Sequence, residues 1–200
     1  GGHSSIVHLP EHLHFEVMGE TRDDAAGEVL DKVARALGLP YPGGAALEEL
    51  AAKGNPNALD FPRAWLEQDS FDFSFSGLKS HVLNYLNRAE MKGEAVNLAD
   101  VAASFQKSLF EVLAKKAVNA CKTKGVDRLI LSGGVAANNT LRQTIAALAA
   151  AEKIRFHYPP KILCTDNAAM IGAVAYYKYL RKEFNSISLN ATANMPLGNE

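Results

Sequence analysis

The sequence has few cysteines, no excess of either charge and no long hydrophobic run. Its 200 residues include only Cys121 and Cys164, which are far apart and lack CxxC spacing. This argues against a disulfide framework or a structural zinc site and favours a reducing compartment. A net charge of −1 provides no global field to attract nucleic acid or a membrane. Because no apolar run has membrane-spanning length and no charged-then-apolar leader is seen, we expect a cytoplasmic protein without membrane contact.

Hydrophobic periodicity predicts strands that alternate with helices, which is typical of an α/β protein. Strands are predicted over residues 4–9, 13–17, 128–132 and 154–158. The first helix is predicted to begin at a cap of Thr21 or Asp23 and to run to about Leu37. Further helices are predicted over 45–53, 77–88, 98–122 and 165–181, with another soon after residue 134. A tight turn is predicted at 41–44, and residues 54–73 are expected to be irregular. Two helical stripes are predicted to face the core: Ala26, Leu30, Val33 and Leu37, and Val101, Phe105, Leu109 and Val112.

The most informative stretch runs from Leu129 to Arg142. An apolar strand at 128–132, which we expect to be buried, ends at the pair Gly133–Gly134. A helix with Leu141, Ile145 and Leu148 on one face follows. Glycines at such a turn let a ligand approach the backbone, and a helix start offers unpaired N–H groups. The stretch therefore predicts a nucleotide-binding edge. The alternative is a strand-to-helix turn that binds nothing, which is common in α/β proteins.

The stretch Phe71–Ser80 alternates aromatic and polar residues. Phe71, Phe73 and Phe75 fit a strand with one buried face, which would direct Ser74, Ser76 and Lys79 elsewhere, towards substrate or RNA phosphate. We assign them no catalytic role. A separate group of basic residues around one helix end fits either RNA contact or favourable interaction with the helix C-terminus. These residues are Lys115, Lys116, Lys122, Lys124 and Arg128.

The N-terminal stretch Gly1–Ser5 has the composition of a phosphate-facing turn, but no strand precedes it. We therefore expect the sequence to begin within a structural unit. His8 and His12 have HxxxH spacing, which serves a metal when both rings share one helix face. Pro10 lies between them and prevents a regular helix. We interpret the two histidines as exposed hairpin residues without a metal.

Five stretches together resemble the TsaD family, the tRNA N6-adenosine threonylcarbamoyltransferases. They are GGHSS at 1–5, GETRDDAAGEVLDKVARALGLPYPGG at 19–44, FDFSFSGLKS at 71–80, SGGVAANNTLR at 132–142 and CTDNAAMIG at 164–172. The resemblance implies the second lobe of an actin-like (ribonuclease H-like) α/β fold with additional helices. It places this C-terminal lobe at 1–183, with a helical insertion at about 45–125, and an extended tail at 184–200. The first lobe, with the family's paired metal-binding histidines, is expected to be absent.

The resemblance also implies one divalent metal ion, Fe²⁺ in preference to Zn²⁺, with Asp166 as a ligand. The alternative for Asp166 is a helix N-cap, and one carboxylate can serve either role. Iron and zinc sites of this kind need three or more protein ligands. We therefore expect metal binding by this chain to be weak or absent.

Five further residues correspond to substrate-binding positions of the family. Asp31 matches an acidic residue that binds ligand hydroxyls, Gly44 a backbone that contacts the ligand, and Asn138 an asparagine that contacts the nucleotide. Gly1 and Gly2 match the end of the phosphate-facing hairpin. The alternatives are a solvated helix face for Asp31, a type II turn glycine for Gly44 and a helix cap for Asn138.

The activity that the resemblance implies is transfer of threonylcarbamoyl from threonylcarbamoyl-AMP to N6 of adenosine 37 in ANN-decoding tRNAs. It implies tRNA, a TsaB-like protein and a TsaE-like ATPase as partners. We expect the isolated chain to be inactive. One alternative is a non-catalytic lobe that binds adenine nucleotide or assembles with a complementary chain. Another is an actin-like kinase or ATPase, although the acidic magnesium-binding pair of such an enzyme is not evident.

Overall fold

The computed structural model describes residues 2–67, 69–192 and 197. Within these residues, four strands and six α-helices follow one another, with two short 3₁₀ helices at Gly134–Ala137 and Lys161–Leu163. The strands are β1 (Ser5–His8), β2 (Glu16–Glu20), β3 (Arg128–Ile130) and β4 (Arg155–His157). The helices are α1 (Ala26–Ala36), α2 (Gly43–Ala51), α3 (Ser76–Lys92), α4 (Leu98–Lys124), α5 (Asn139–Ala151) and α6 (Ala168–Leu180).

The long helix α4 forms the centre of the hydrophobic core. It packs against α2, α3 and α5, and α1 packs against α2 and α3. Its predicted stripe is confirmed, since Val101, Phe105, Leu109 and Val112 are all buried. The side chain of Asn97 begins the helix by accepting hydrogen bonds from the N–H groups of residues 99 and 100. The predicted stripe of α1, at Ala26, Leu30, Val33 and Leu37, is likewise buried.

The four strands form two separate pairs. β1 and β2 are antiparallel, whereas β3 and β4 are parallel. The predicted hairpin is present, but its second strand is displaced, since β2 occupies Glu16–Glu20 rather than residues 13–17. The position of β2 is set by its pairing with β1, in which Val7 lies opposite Val17 and Ile6 opposite Gly19.

The strand predicted to be buried at 128–132 is partly exposed. Leu129 packs against the core, but Ile130, on the opposite face of β3, is 71% exposed. An apolar run shows that a strand can be buried on both faces, but it does not show what covers each face. The prediction of a buried strand was therefore wrong for one face of β3.

Three predicted helix starts also need correction. Helix α1 begins at Ala26, with Ala25 rather than Thr21 or Asp23 as its N-cap. Gly43 and Gly44 are the first residues of α2, not part of a tight turn at 41–44. Helix α6 begins at Ala168 rather than at residue 165, with Asn167 as its N-cap. The glycine pair at 133–134 is followed by a 3₁₀ turn before α5 begins.

Helix α6 lies at the surface of the described molecule. Its apolar side chains include Ile171, 68% exposed, and Val174, 44% exposed. One end of the helix contacts the β1–β2 hairpin, where the rings of Tyr177 and His12 stack with centroids 3.7 Å apart. Among the described residues, no helix combines the length and the apolar character needed to cross a membrane. The division into a lobe at 1–183, an insertion at 45–125 and a tail at 184–200 stays a prediction.

Candidate functional site

The glycine-rich turn after β3 is built to expose its backbone. Gly133 has a φ of +91°, a conformation that side-chain-bearing residues rarely adopt. Ser132, Gly133 and Gly134 are exposed, and together they line part of a cavity of about 230 Å³. His3 and Ser4 line the same cavity. The turn therefore presents open main chain to a small cavity, as its sequence predicts.

Asn138 is the N-cap of α5 and is almost fully buried. Its Oδ1 accepts a hydrogen bond of 3.1 Å from the N–H of Leu141. The next N–H, that of Asn139, donates to Oε1 of Glu48 at 2.7 Å. Two of the N–H groups at this helix start are therefore occupied by the protein's own side chains. The helix-cap alternative for Asn138 is what the structure contains, and a ligand-binding role for its amide stays a prediction.

Asp31 has an equally definite structural role. One of its carboxylate oxygens, Oδ1, accepts a hydrogen bond of 2.8 Å from the N–H of Gly43, the first residue of α2. Pro42, which precedes the helix, has no side-chain group that could do this. Asp31 is half-buried and caps α2 from α1. The alternative of a merely solvated helix face was wrong.

Gly44 is the second residue of α2, so the alternative of a type II turn glycine was wrong as well. A methyl group built on Gly44 would meet no heavy atom within 4 Å, so space lies open beside its backbone. At Gly43 the opposite holds, because a methyl group would come within 2.5 Å of the Ala34 side chain. Gly43 is therefore required by packing, whereas Gly44 is not.

Helix α2 links three of the predicted site residues. Asp31 holds its first turn, Gly44 lies in that turn, and Glu48, one turn further on, holds the start of α5 beside Asn138. Sequence analysis missed Glu48, because its partner lies 91 positions away and no local pattern marks the contact. Asp31, Gly44 and Asn138 therefore lie in one region that is connected through α2 by hydrogen bonds. None of these three described residues lines the 230 Å³ cavity.

Asp166 lies elsewhere, in the exposed turn between the second 3₁₀ helix and α6. The N-cap alternative for Asp166 was wrong, since the side chain of Asn167 accepts the hydrogen bond from Met170. Within the described ranges, no group of three or more His, Cys, Asp or Glu side chains is placed to hold a metal ion. The described residues therefore do not by themselves form the implied iron or zinc site.

The hairpin histidines lie in different environments. His8 is half-buried, not exposed as predicted, and its Nδ1 lies 2.9 Å from a carboxylate oxygen of Glu16. The Glu16 carboxylate also accepts from Lys124, and its hydrogen bonds to Lys124 and His8 lower the pKa of Glu16 to about 2. His12 is exposed and stacks on Tyr177. Of the two glycines that match the phosphate-facing hairpin, Gly2 is exposed, and Gly1 lies outside the described residues.

The polar side chains Ser74, Ser76 and Lys79 pair with carboxylates in the segment just before α1 and do not point away from the molecule. Ser74 and Ser76 donate hydrogen bonds of 2.5 and 2.6 Å to the carboxylate of Asp23, and Lys79 donates to Asp24. Hydrogen bonds from Lys32 and Lys79 hold the pKa of Asp24 below its usual value. The expectation that these polar side chains point towards substrate or RNA was therefore wrong.

Phe73 and Phe75 are buried as predicted, although not on a strand. Their rings stack with centroids 5.5 Å apart, and Phe73 makes only an isolated bridge to Thr21.

The basic residues around the end of α4 have partners within the molecule. Lys116 is buried and donates to the backbone oxygen of Asp72, and desolvation by burial lowers its pKa. Lys122 pairs with Glu152 and Lys124 with Glu16. The structure therefore does not favour an RNA-binding surface here.

We expect Asn138→Ala to lower the free energy of unfolding by about 1 kcal/mol, because it removes the N-cap of α5. Asn138→Asp keeps an oxygen acceptor at the same place and serves as the matched control. Chemical denaturation of both variants measures the difference. Equal stability of the two variants would show that the cap contributes nothing.

The arrangement of strands and helices places the chain among known folds. It is α/β, of the actin-like class, with a glycine-rich strand-to-helix turn beside a cavity. A crystal structure of HypF from T. kodakarensis resembles it with a TM-score of 0.61 and 26% sequence identity, covering 86% of this chain and 21% of that one. Full-length HypF in a phosphate- and nucleotide-bound form gives a TM-score of 0.57 at 22% identity, covering 78% and 21%. The latter likeness concerns the fold alone.

The chain belongs to the TsaD family, tRNA N6-adenosine threonylcarbamoyltransferase, whose model matches residues 1–173. A relative of that name from Clostridium botulinum is 54% identical over 198 residues, and one from Moorella thermoacetica is 55% identical over 197. These alignments cover 99% and 98% of this chain. The chain spans 58% of the length of each of these relatives.

Proposed function

We propose that this chain forms the nucleotide-holding part of an enzyme that transfers threonylcarbamoyl from threonylcarbamoyl-AMP to tRNA. The N6 amine of adenosine 37 in an ANN-decoding tRNA attacks the carbamoyl carbon. A carbon–nitrogen bond forms, the bond from that carbon to the phosphate oxygen breaks, the amine loses a proton, and AMP leaves. The observation that supports this proposal is the family match over residues 1–173. Since tRNA is the acceptor, the protein acts in the cytoplasm.

The nucleotide lies, in this proposal, beside the first turn of α2. Oδ1 of Asp31 is used by Gly43, and its second oxygen accepts a hydrogen bond from a ribose hydroxyl. Gly44 lets the ligand approach its backbone, since space lies open there. The amide of Asn138 contacts the base while its oxygen caps α5. Gly1 and Gly2 face the phosphate. The hydrogen bonds that connect Asp31 to α2, and α2 through Glu48 to the residue after Asn138, support one site that contains all three residues.

Asp166 supplies one ligand to a divalent metal, iron in preference to zinc. Since the described residues provide no group of three ligands, the chain alone binds the metal weakly. We derive no step of the reaction through the metal. The partners proposed for the complete enzyme are a TsaB-like protein, a TsaE-like ATPase and tRNA.

We expect the 200-residue chain not to form the modified nucleoside, even with TsaB-like and TsaE-like proteins, threonylcarbamoyl-AMP and tRNA present. Mass spectrometry of the digested tRNA measures the product. A full-length relative assayed under identical conditions is the control. Robust turnover by the 200-residue chain would contradict this expectation.

A second candidate function is a non-catalytic lobe that binds adenine nucleotide. The link between Asp31 and Asn138 through α2 favours it, since it does not require the metal. Calorimetry with AMP tests nucleotide binding separately from transfer. We expect Asp31→Asn, which keeps an oxygen to cap α2 but loses the charge, to weaken AMP binding by tenfold or more with unchanged stability. Unchanged affinity would remove Asp31 from the site.

A further inference from the structure

Arg142, the fourth residue of α5, holds the turn that leads into this helix. Its Nε donates a hydrogen bond to the carbonyl oxygen of Ala136, within the 3₁₀ helix at Gly134–Ala137. The peptide plane of this carbonyl ends one residue before Asn138, the N-cap of α5. The helix dipole disfavours a cation near a helix N-terminus, so the place of Arg142 needs another explanation. The contacts of its guanidinium provide one.

The other contacts of the guanidinium are with the segment 158–164, which follows β4. Nη2 of Arg142 lies 2.9 Å from the carbonyl oxygen of Pro159 and 3.2 Å from Sγ of Cys164. The guanidinium carbon lies 4.3 Å from the centroid of the Tyr158 ring. Because proline has no N–H, the main chain of Pro159 can be held only through its carbonyl oxygen. Arg142 therefore holds this segment as well as the 3₁₀ helix.

The planar guanidinium suits this bridge, and an ammonium group does not. Arginine has five N–H donors in one rigid plane, whereas lysine has a single charged nitrogen on a flexible stem. Nε and Nη2 of Arg142 donate to different segments, while the face of the group covers the ring of Tyr158. Arginine can therefore fix the distance between the two segments, and lysine cannot.

We propose that Arg142 is a positioning residue for the nucleotide site, which keeps the turn before Asn138 and the segment 158–164 in one arrangement. It acts through the main chain at Ala136 and does not touch the nucleotide. This proposal rests on the proposed function, in which Asn138 contacts the base. Because Arg142 spans both segments, a nucleotide that orders the turn also keeps the segment 158–164 closed, and closure in turn favours the nucleotide.

Cys164 provides a direct reporter of the segment 158–164. Its side chain is 1% exposed and lies against Arg142, so a thiol reagent reaches it only when the segment opens. Cys121, on α4, is also buried and gives an internal control in the same molecule. Mass spectrometry of peptides after treatment with N-ethylmaleimide measures the alkylation rate of each cysteine separately.

The first experiment measures AMP binding by calorimetry, with Arg142→Lys and Arg142→Met compared with the unsubstituted chain below their unfolding temperatures. We expect both variants to bind AMP at least tenfold more weakly, because neither can hold Ala136 and Pro159 together. A purely structural role would lower stability but leave the affinity of the folded molecules unchanged. Arg155→Lys and Arg155→Met are the matched controls, since Arg155 forms an exposed ion pair with Asp127, and we expect them to bind AMP normally.

The second experiment follows the alkylation of Cys164. Without AMP, Arg142→Lys is expected to raise the rate at Cys164 at least tenfold and to change the rate at Cys121 less than twofold. Saturating AMP is expected to slow the reaction of Cys164 at least threefold in the unsubstituted chain and to have no effect in Arg142→Lys.

The outcomes distinguish this proposal from the proposed function. If the unsubstituted chain does not bind AMP, both are contradicted. If it binds AMP, but Arg142→Lys binds equally well, positive charge alone suffices and the positioning role is overturned. AMP binding that leaves the alkylation of Cys164 unchanged in the unsubstituted chain overturns the coupling, and this measurement decides even if the Arg142 variants do not fold.

Discussion

Replacing Phe75 by alanine is expected to lower the free energy of unfolding by about 3–5 kcal/mol, the usual cost of truncating a fully buried aromatic side chain. Phe75 is 1% exposed, and its ring stacks on that of Phe73. The cavity left behind lies in the core cluster that includes α1, α3 and α4. Urea denaturation, followed by circular dichroism, measures the change.

Phe184→Ala is the matched control, because the side chain of Phe184 is 69% exposed and contacts only Tyr179 among the described aromatic rings. We expect this variant to lose less than about 1 kcal/mol. If Phe75→Ala were no more destabilising than Phe184→Ala, the packing of the stretch 71–80 against the core would be contradicted.

Gly43→Ala is expected to lower the free energy of unfolding and Gly44→Ala to raise it, although the two residues are adjacent. A methyl group on Gly43 would lie 2.5 Å from the Ala34 side chain and 3.0 Å from Cα of Asp31, so α1 and α2 must separate. Overpacking of this kind costs about 1–3 kcal/mol. At Gly44 the methyl group meets open space, and alanine is favoured over glycine in a helix by up to about 1 kcal/mol.

Thermal unfolding of both variants measures these changes in stability. Titration with AMP adds a functional distinction, since the proposed function requires a ligand next to the backbone of Gly44. We therefore expect Gly44→Ala to weaken AMP binding without loss of stability. Equal destabilisation by the two substitutions would contradict the described packing of α2 on α1.

Much of the helical structure could be predicted because it depends on local periodicity. The stripe from Val101 to Val112 repeats at helical spacing, and burial follows from that repeat. The start of α2 could not be predicted in the same way. Its cap comes from Asp31, 12 positions earlier and on another helix, so the glycines at 43–44 have the local pattern of a turn.

The sequence identified several residues of the candidate site, but it did not predict the structural roles that these residues have. Asn138 and Asp31 were identified through the family resemblance, but both also have structural hydrogen bonds that the sequence did not specify. Glu48 was missed because a contact across 91 positions has no local signature. At Asp166 the capping residue was misassigned by one position, since aspartate and asparagine both cap helices and only the backbone geometry decides between them.

The two carboxylates that hold α2 have a mechanical consequence. Asp31 fastens one end of this nine-residue helix to α1, and Glu48 fastens a later turn to the start of α5. Because α2 is held at both places, a tilt of its first turn also moves the turn that contains Glu48. We therefore expect a change in the position of α1 to reach the start of α5, beside Asn138, through α2.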